Sequence, residues 1–91
     1  MNEIDKKDDV VFVGSKPTMV YLHSLNIAFG KVSEVKLIAR GKNISRAVDA
    51  EEVAKRISNT KVKSVILGSE PAKNKEGRDI NVSTIEITLT K

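Results

Sequence analysis

Residues 34–57 read EVKLIARGKNISRAVDAEEVAKRI. In the first seven, Val35, Leu37 and Ala39 alternate with Glu34, Lys36 and Arg40, the period-two pattern of a strand with one face buried. Gly41-Lys42-Asn43 then turns the chain, and Asn43 is a residue type that caps helix starts. From Ile44 the period lengthens. Ile44, Ala47, Val48, Ala50, Ala54 and Ile57 mark one face of an amphipathic helix that ends near Ser58-Asn59.

Upstream the chain reads the same way. Val10-Val11-Phe12-Val13 is an unbroken β-branched or aromatic run, expected to be a strand covered on both faces. Gly14-Ser15-Lys16-Pro17 follows, and Pro17 suits the first position of a helix, where its missing N–H costs nothing. Met19, Leu22, Leu25 and Phe29 recur at helical spacing, and Gly30 is placed to stop that helix. Downstream, residues 62–68 and 80–90 read as two further strands. In the last one the apolar parity changes between Ile80/Val82 and Ile85/Ile87/Leu89. Either a bulge sits near Ser83-Thr84, or the strand passes from one packing environment into another. The link Ser69–Asp79 is charged and longer than a tight turn, so a protruding hairpin arm is expected. The order βαβαββ predicts an α/β (α+β) two-layer fold, with right-handed crossovers wherever the paired strands are parallel.

Ninety-one residues make one small domain. Residues 1–9, MNEIDKKDD, set four acids against two lysines without apolar periodicity and read as a mobile charged tail. Residues 10–91 are then the domain. The tail's local −2 leaves the rest more basic than the overall +4. With no cysteine and one histidine, His23, disulfides, thiolate catalysis, Cys-ligated metals and poly-His sites are excluded, and no metal or cofactor is expected. His23 sits among apolar residues and reads as a packing or partly exposed side chain. No apolar run reaches the ~18 residues of a membrane span, and the first residues lack a signal-peptide apolar region. The expectation is a soluble, cytoplasmic domain with no membrane partner.

Three basic groups stand out. Arg40-Gly41-Lys42-Asn43-Ile44-Ser45-Arg46 passes from a strand into a helix N-terminus, where free N–H groups favour an anion. Arg40, Lys42, Asn43 and Arg46 there form a candidate phosphate seat, although an ordinary βα turn with solvated basic residues fits the same letters. Gly14-Ser15-Lys16-Pro17 is a second such turn. If the first two strands are parallel, both turns lie at one edge of the sheet. Lys73, Lys75 and Arg78 make the third group, interspersed with Glu70, Glu76 and Asp79. They suit either a groove-entering arm or a solubilising loop. Asp49 is read as stabilising the start of the second helix, and Glu51 as pairing with Lys55. The aromatics Phe12, Tyr21 and Phe29 all lie on apolar stretches and are expected in the core, which argues against base stacking. No nucleophile, metal set or tuned acid accompanies the basic turns, so the chain is not read as an enzyme.

The run Arg40-Gly41-Lys42-Asn43-Ile44-Ser45-Arg46-Ala47-Val48-Asp49 resembles the Arg-Gly-x-x-Ile-Ser-x-Ala-Val-Asp segment of the Alba family of archaeal chromatin proteins. Val11–Pro17 is similar to that family's opening strand and turn, and Gly77–Ile87 to its closing strand. The resemblance implies a βαβαββ fold like the C-terminal domain of translation initiation factor 3. It implies a homodimer that binds double-stranded DNA, and in many members RNA, without marked sequence preference. It also implies association with the chromosome or nucleoid and condensation of DNA. Lys16, Arg40, Lys42 and Arg78 match family binding positions. The family often has paired lysines before the proline, the first an acetylation target. Here Ser15 stands at that position, so Lys16 and Ser15 become the modification candidates, with acetylating and deacetylating enzymes as implied partners. Nor does Ile57-Ser58-Asn59 hold the aromatic that some members use for contacts between dimers.

Overall fold

The alternation of residues 34–40 places their strand at the centre of a four-stranded mixed sheet. The computed structural model describes residues 9–91. In chain order its elements are β1 (Val10–Phe12), α1 (Thr18–Phe29), β2 (Glu34–Arg40), a 3-10 turn (Gly41–Asn43), α2 (Ile44–Ile57), β3 (Lys61–Lys73) and β4 (Asp79–Thr90). The sheet order is β1-β2-β4-β3, with β1 parallel to β2 and the other neighbours antiparallel. The expected α+β fold and its βαβαββ order are what the chain adopts. The tail expected over residues 1–9 lies outside the described residues except for Asp9, whose carbonyl accepts the Lys36 N–H at 2.8 Å.

The core is one face of this sheet. Val11, Val35, Leu37, Ala39, Ile85, Ile87 and Leu89 are buried on it under Leu22, Leu25 and Ala28 of α1 and Ala47, Ala50 and Ala54 of α2. The alanines let α2 lie close to the strands. Glu51 is also buried, and burial pushes its carboxyl above the ordinary carboxylate range, with Glu52 adding to the effect. Lys55 lies 3.6 Å from Glu51, as its spacing predicts, and 3.2 Å from Glu52.

Several local expectations are corrected. β1 is the edge of the sheet and is not covered on both faces; Phe12 is 64% exposed. The buried face of α1 is Tyr21, Leu22, Leu25 and Ala28, with Met19 exposed and Phe29 half-buried. The helix pattern there is blurred because apolar residues run nearly around α1. Gly30 ends α1 in a right-handed conformation (φ −73°), so no left-handed glycine cap is used. Asn43 makes no side-chain cap. It is the last residue of a 3-10 turn that runs straight into α2, so the helical path begins after the extended Arg40. Gly41 turns the chain there at φ +60°, where a side chain would be strained. Asp49 consequently lies beyond the first turn of α2, which contains no acid.

The parity change in β4 marks a change of environment, not a bulge. β4 keeps its register with β3 through Gly68↔Thr84 and Ser69↔Ser83, and the shift in pairing falls at Val62/Ser64 instead. β2 leaves the ladder at Arg40↔Thr84. Beyond that pair β3 and β4 continue alone to Lys73↔Asp79 as a two-stranded ribbon. The link is thus mostly strand, with residues 74–78 forming the turn. Pro71 is accommodated because β3 is the sheet's other edge, where a missing N–H leaves no ladder bond unmade.

Candidate nucleic-acid interface

Parallel β1 and β2 end side by side, in register at Phe12↔Ile38. The turns that follow them, residues 14–17 and 41–43, therefore lie at the same edge of the sheet. The β3–β4 ribbon leaves past Arg40↔Thr84, at that edge too. All three basic groups read from the sequence are thus brought to one end of the molecule by strand direction alone.

The first turn is built by Tyr21. Its buried phenol oxygen accepts the backbone N–H of Gly14 at 2.8 Å and of Lys16 at 3.0 Å. These N–H groups are therefore not free to hold a phosphate, contrary to the simple picture of an open helix N-terminus. The Lys16 side chain is exposed and makes no ion pair among the described residues. Ser15 is exposed beside it. Tyr21→Phe leaves both N–H groups without an acceptor in a partly buried loop. That is expected to cost about 1–3 kcal/mol in denaturant unfolding and to speed amide exchange at Gly14 and Lys16. Unchanged exchange at both amides would refute this role.

The second turn carries Arg40 and Lys42, both exposed, with Asn43 and Arg46 half-buried behind them. The Nε of Arg46 is buried without a partner. Lys42 is unpaired among the described residues. Arg40 places a guanidinium nitrogen 3.3 Å from Glu70 on the ribbon. The turn also packs against the base of the ribbon: a Cβ on Gly41 would stand 3.5 Å from Val82 Cγ1.

The ribbon's tip is organised by Asn74. Its side-chain oxygen accepts the N–H of Glu76 at 2.9 Å and of Arg78 at 3.0 Å, its carbonyl accepts the N–H of Gly77, and its own N–H donates to the Arg78 carbonyl. Gly77 supplies the left-handed residue, φ +81°. The tip cations are largely exposed but not all free. Lys73 lies 2.7 Å from Asp79, and Arg78 3.8 Å from Glu76, while Lys75 is unpaired among the described residues.

Asn74, Tyr21 and Glu70 are the residues that sequence reasoning passed over. An Asn three positions before a Gly in a charged link is a readable turn signal. Nothing in the letters distinguishes a core tyrosine from one whose hydroxyl holds a loop. His23 is exposed on α1. No helix among the described residues is long and apolar enough to cross a membrane.

Comparison with known proteins gives one answer. The sequence model of the Alba family matches residues 9–69. The chain is 46% identical over 88 residues to the DNA/RNA-binding protein Alba of Methanococcus maripaludis, covering 92% of this chain and 99% of that protein. It is 38% identical over 86 residues to the DNA/RNA-binding protein Alba of Nitrosopumilus maritimus, covering 91% and 90%. Among solved structures, Alba from Thermoplasma volcanium superposes with a TM-score of 0.82 at 38% identity, over 90% of this chain and 99% of that one. ALBA1 from Trypanosoma brucei, at 23% identity and a TM-score of 0.76 over 92% of this chain and 69% of that one, shares the fold.

Proposed function

The chain belongs to the Alba family, and we propose that it is a nucleic-acid-binding chromosomal protein that coats and compacts double-stranded DNA as a homodimer. The observation that carries this reading is the convergence of two basic turns and a ribbon that bears Lys73, Lys75 and Arg78 at one end of the sheet. Lys16, Arg40, Lys42, Asn43 and Arg46 are the residues that would meet the phosphate backbone. Lys73, Lys75 and Arg78 on the ribbon are spaced to follow the duplex into its minor groove. Such contacts give affinity through counterion release and carry no base sequence. The relatives' names support nucleic-acid binding. The cytoplasmic, chromosome-associated setting follows from this role.

The homodimer is supported by β3. It is a sheet edge along its whole length and holds Val62, Val65, Ile66 and Leu67 at 39%, 51%, 57% and 73% exposure. A long apolar edge invites pairing, and a second copy is the partner always at hand. The dimer carries two basic edges and two ribbons.

One observation favours RNA as a second ligand. Phe12, expected in the core, is 64% exposed, and it adjoins the first basic turn. An unpaired base would stack on it. Titrating duplex DNA, duplex RNA and single-stranded RNA at one salt concentration tests both readings, together with a crosslinking map of the bound DNA. Tight duplex DNA binding with crosslinks on the two turns and the ribbon is expected. Crosslinks confined to the acidic face of α2 would overturn the proposal. Preference for single-stranded RNA, lost in Phe12→Ala, would favour the second reading.

A further inference from the structure

We infer that Glu70 is a built-in competitor for phosphate at the second basic turn, setting how tightly Arg40 holds nucleic acid. This rests on the reading of Arg40 as a phosphate contact. Arg40, Thr84 and Gly68 form one row across the sheet, so the three side-chain positions share a face. Glu70 lies two residues along the same face of β3 from Gly68. Its carboxylate oxygen lies 3.3 Å from the Arg40 guanidinium. A carboxylate offers a guanidinium the same paired oxygens that a phosphate does. Both groups are about half exposed, at 55% and 48%, so solvent and a phosphate can reach the pair.

The other ion pairs of this edge differ. Lys73–Asp79 and Arg78–Glu76 lie within the ribbon and move with it. Arg40–Glu70 joins the ribbon to the body. A phosphate that takes Arg40 must displace Glu70, which then stands uncompensated beside a polyanion. A single phosphate ion gains little from the exchange. A duplex, which engages the neighbouring Lys42 and Lys16 at the same time, offsets it. Glu70 thus acts through Arg40 as a positioning residue, lowering affinity and favouring extended polyanions over isolated anions.

The test is a double-mutant cycle on the full chain with a mixed-sequence DNA duplex at fixed salt. Glu70→Gln keeps the side chain's size and removes its charge. It is expected to tighten binding by a factor of about two to five for each turn engaged, the scale of an exposed ion pair. In the Arg40→Ala background the gain should shrink to the small long-range effect of removing one negative charge. Side-chain N–H resonances of Arg40 in the free protein should shift on Glu70→Gln, a change that a purely structural role for Glu70 elsewhere would not produce. If Arg40→Ala weakens binding but Glu70→Gln leaves it unchanged, weakens it, or tightens it equally in both backgrounds, the competitor role is wrong and the phosphate contact stands. If Arg40→Ala binds as wild type, the phosphate contact itself is wrong and the competitor role falls with it.

Discussion

Raising the salt concentration from about 50 to about 200 mM is expected to weaken duplex DNA binding by roughly two to four orders of magnitude. The estimate follows from the edge that collects the basic groups. The proposed dimer would present two copies of Lys16, Arg40 and Lys42, with the ribbon cations beyond them, and would engage roughly 4–8 phosphates. Each phosphate neutralised releases most of one condensed counterion, so log K falls against log salt with a slope of about −4 to −7. Arg40→Ala or Lys42→Ala removes one contact per protomer and should flatten that slope by up to about two in the dimer. Either variant should weaken all duplex sequences by similar factors. Binding isotherms at several salt concentrations measure both quantities. A slope near zero would remove the phosphate mechanism, and a loss confined to one base sequence would point to base readout instead.

Strand direction explains how much of this was legible beforehand. The switch from period two to helical period at Gly41 fixes a strand, a turn and a helix from letters alone, and the same switch at Gly14 places the second basic turn. Their convergence needs only that β1 and β2 be parallel. The ribbon was harder to read. Glu70, Pro71, Lys73 and Asp79 are poor strand formers, and they pair because β4 runs on past β2 and carries them along. Phe12 misled because an apolar run looks alike in a central strand and in an edge strand left open on one face. Asn43 misled because a 3-10 turn supplied the helix start that a side-chain cap would otherwise have provided. The Arg40–Glu70 pair is a contact between residues thirty positions apart, on strands β2 and β3 that do not pair with each other. No local pattern reports it.

Stability and binding should separate cleanly between two leucines of the same sheet. Leu37 is fully buried on the central strand β2, between Val11 and Ile87. The helix layer over that face sets Ala47, Ala50 and Ala54 of α2, which have no side-chain freedom with which to fill a cavity, beside Leu22 and Leu25 of α1. Leu37→Ala is therefore expected to cost about 2–5 kcal/mol. A domain of this size holds in total only about 5–14 kcal/mol, so the variant loses a large share of its stability. Leu67, 73% exposed on the edge strand β3, loses almost nothing within its own protomer when truncated. Its cost is expected in the proposed dimer. Leu67→Glu places a charge on the apolar edge and is expected to sediment near the 10.0 kDa chain mass where wild type sediments at about twice that value. Because association stabilises the folded chain by mass action, the wild-type urea midpoint should rise with protein concentration and that of Leu67→Glu should not. Arg40→Ala should leave both midpoint and mass unchanged while weakening DNA. A Leu67→Glu variant that remains a dimer would move the interface off β3, and a Leu37→Ala cost below about 1 kcal/mol would mean that the helix layer can close over the missing side chain.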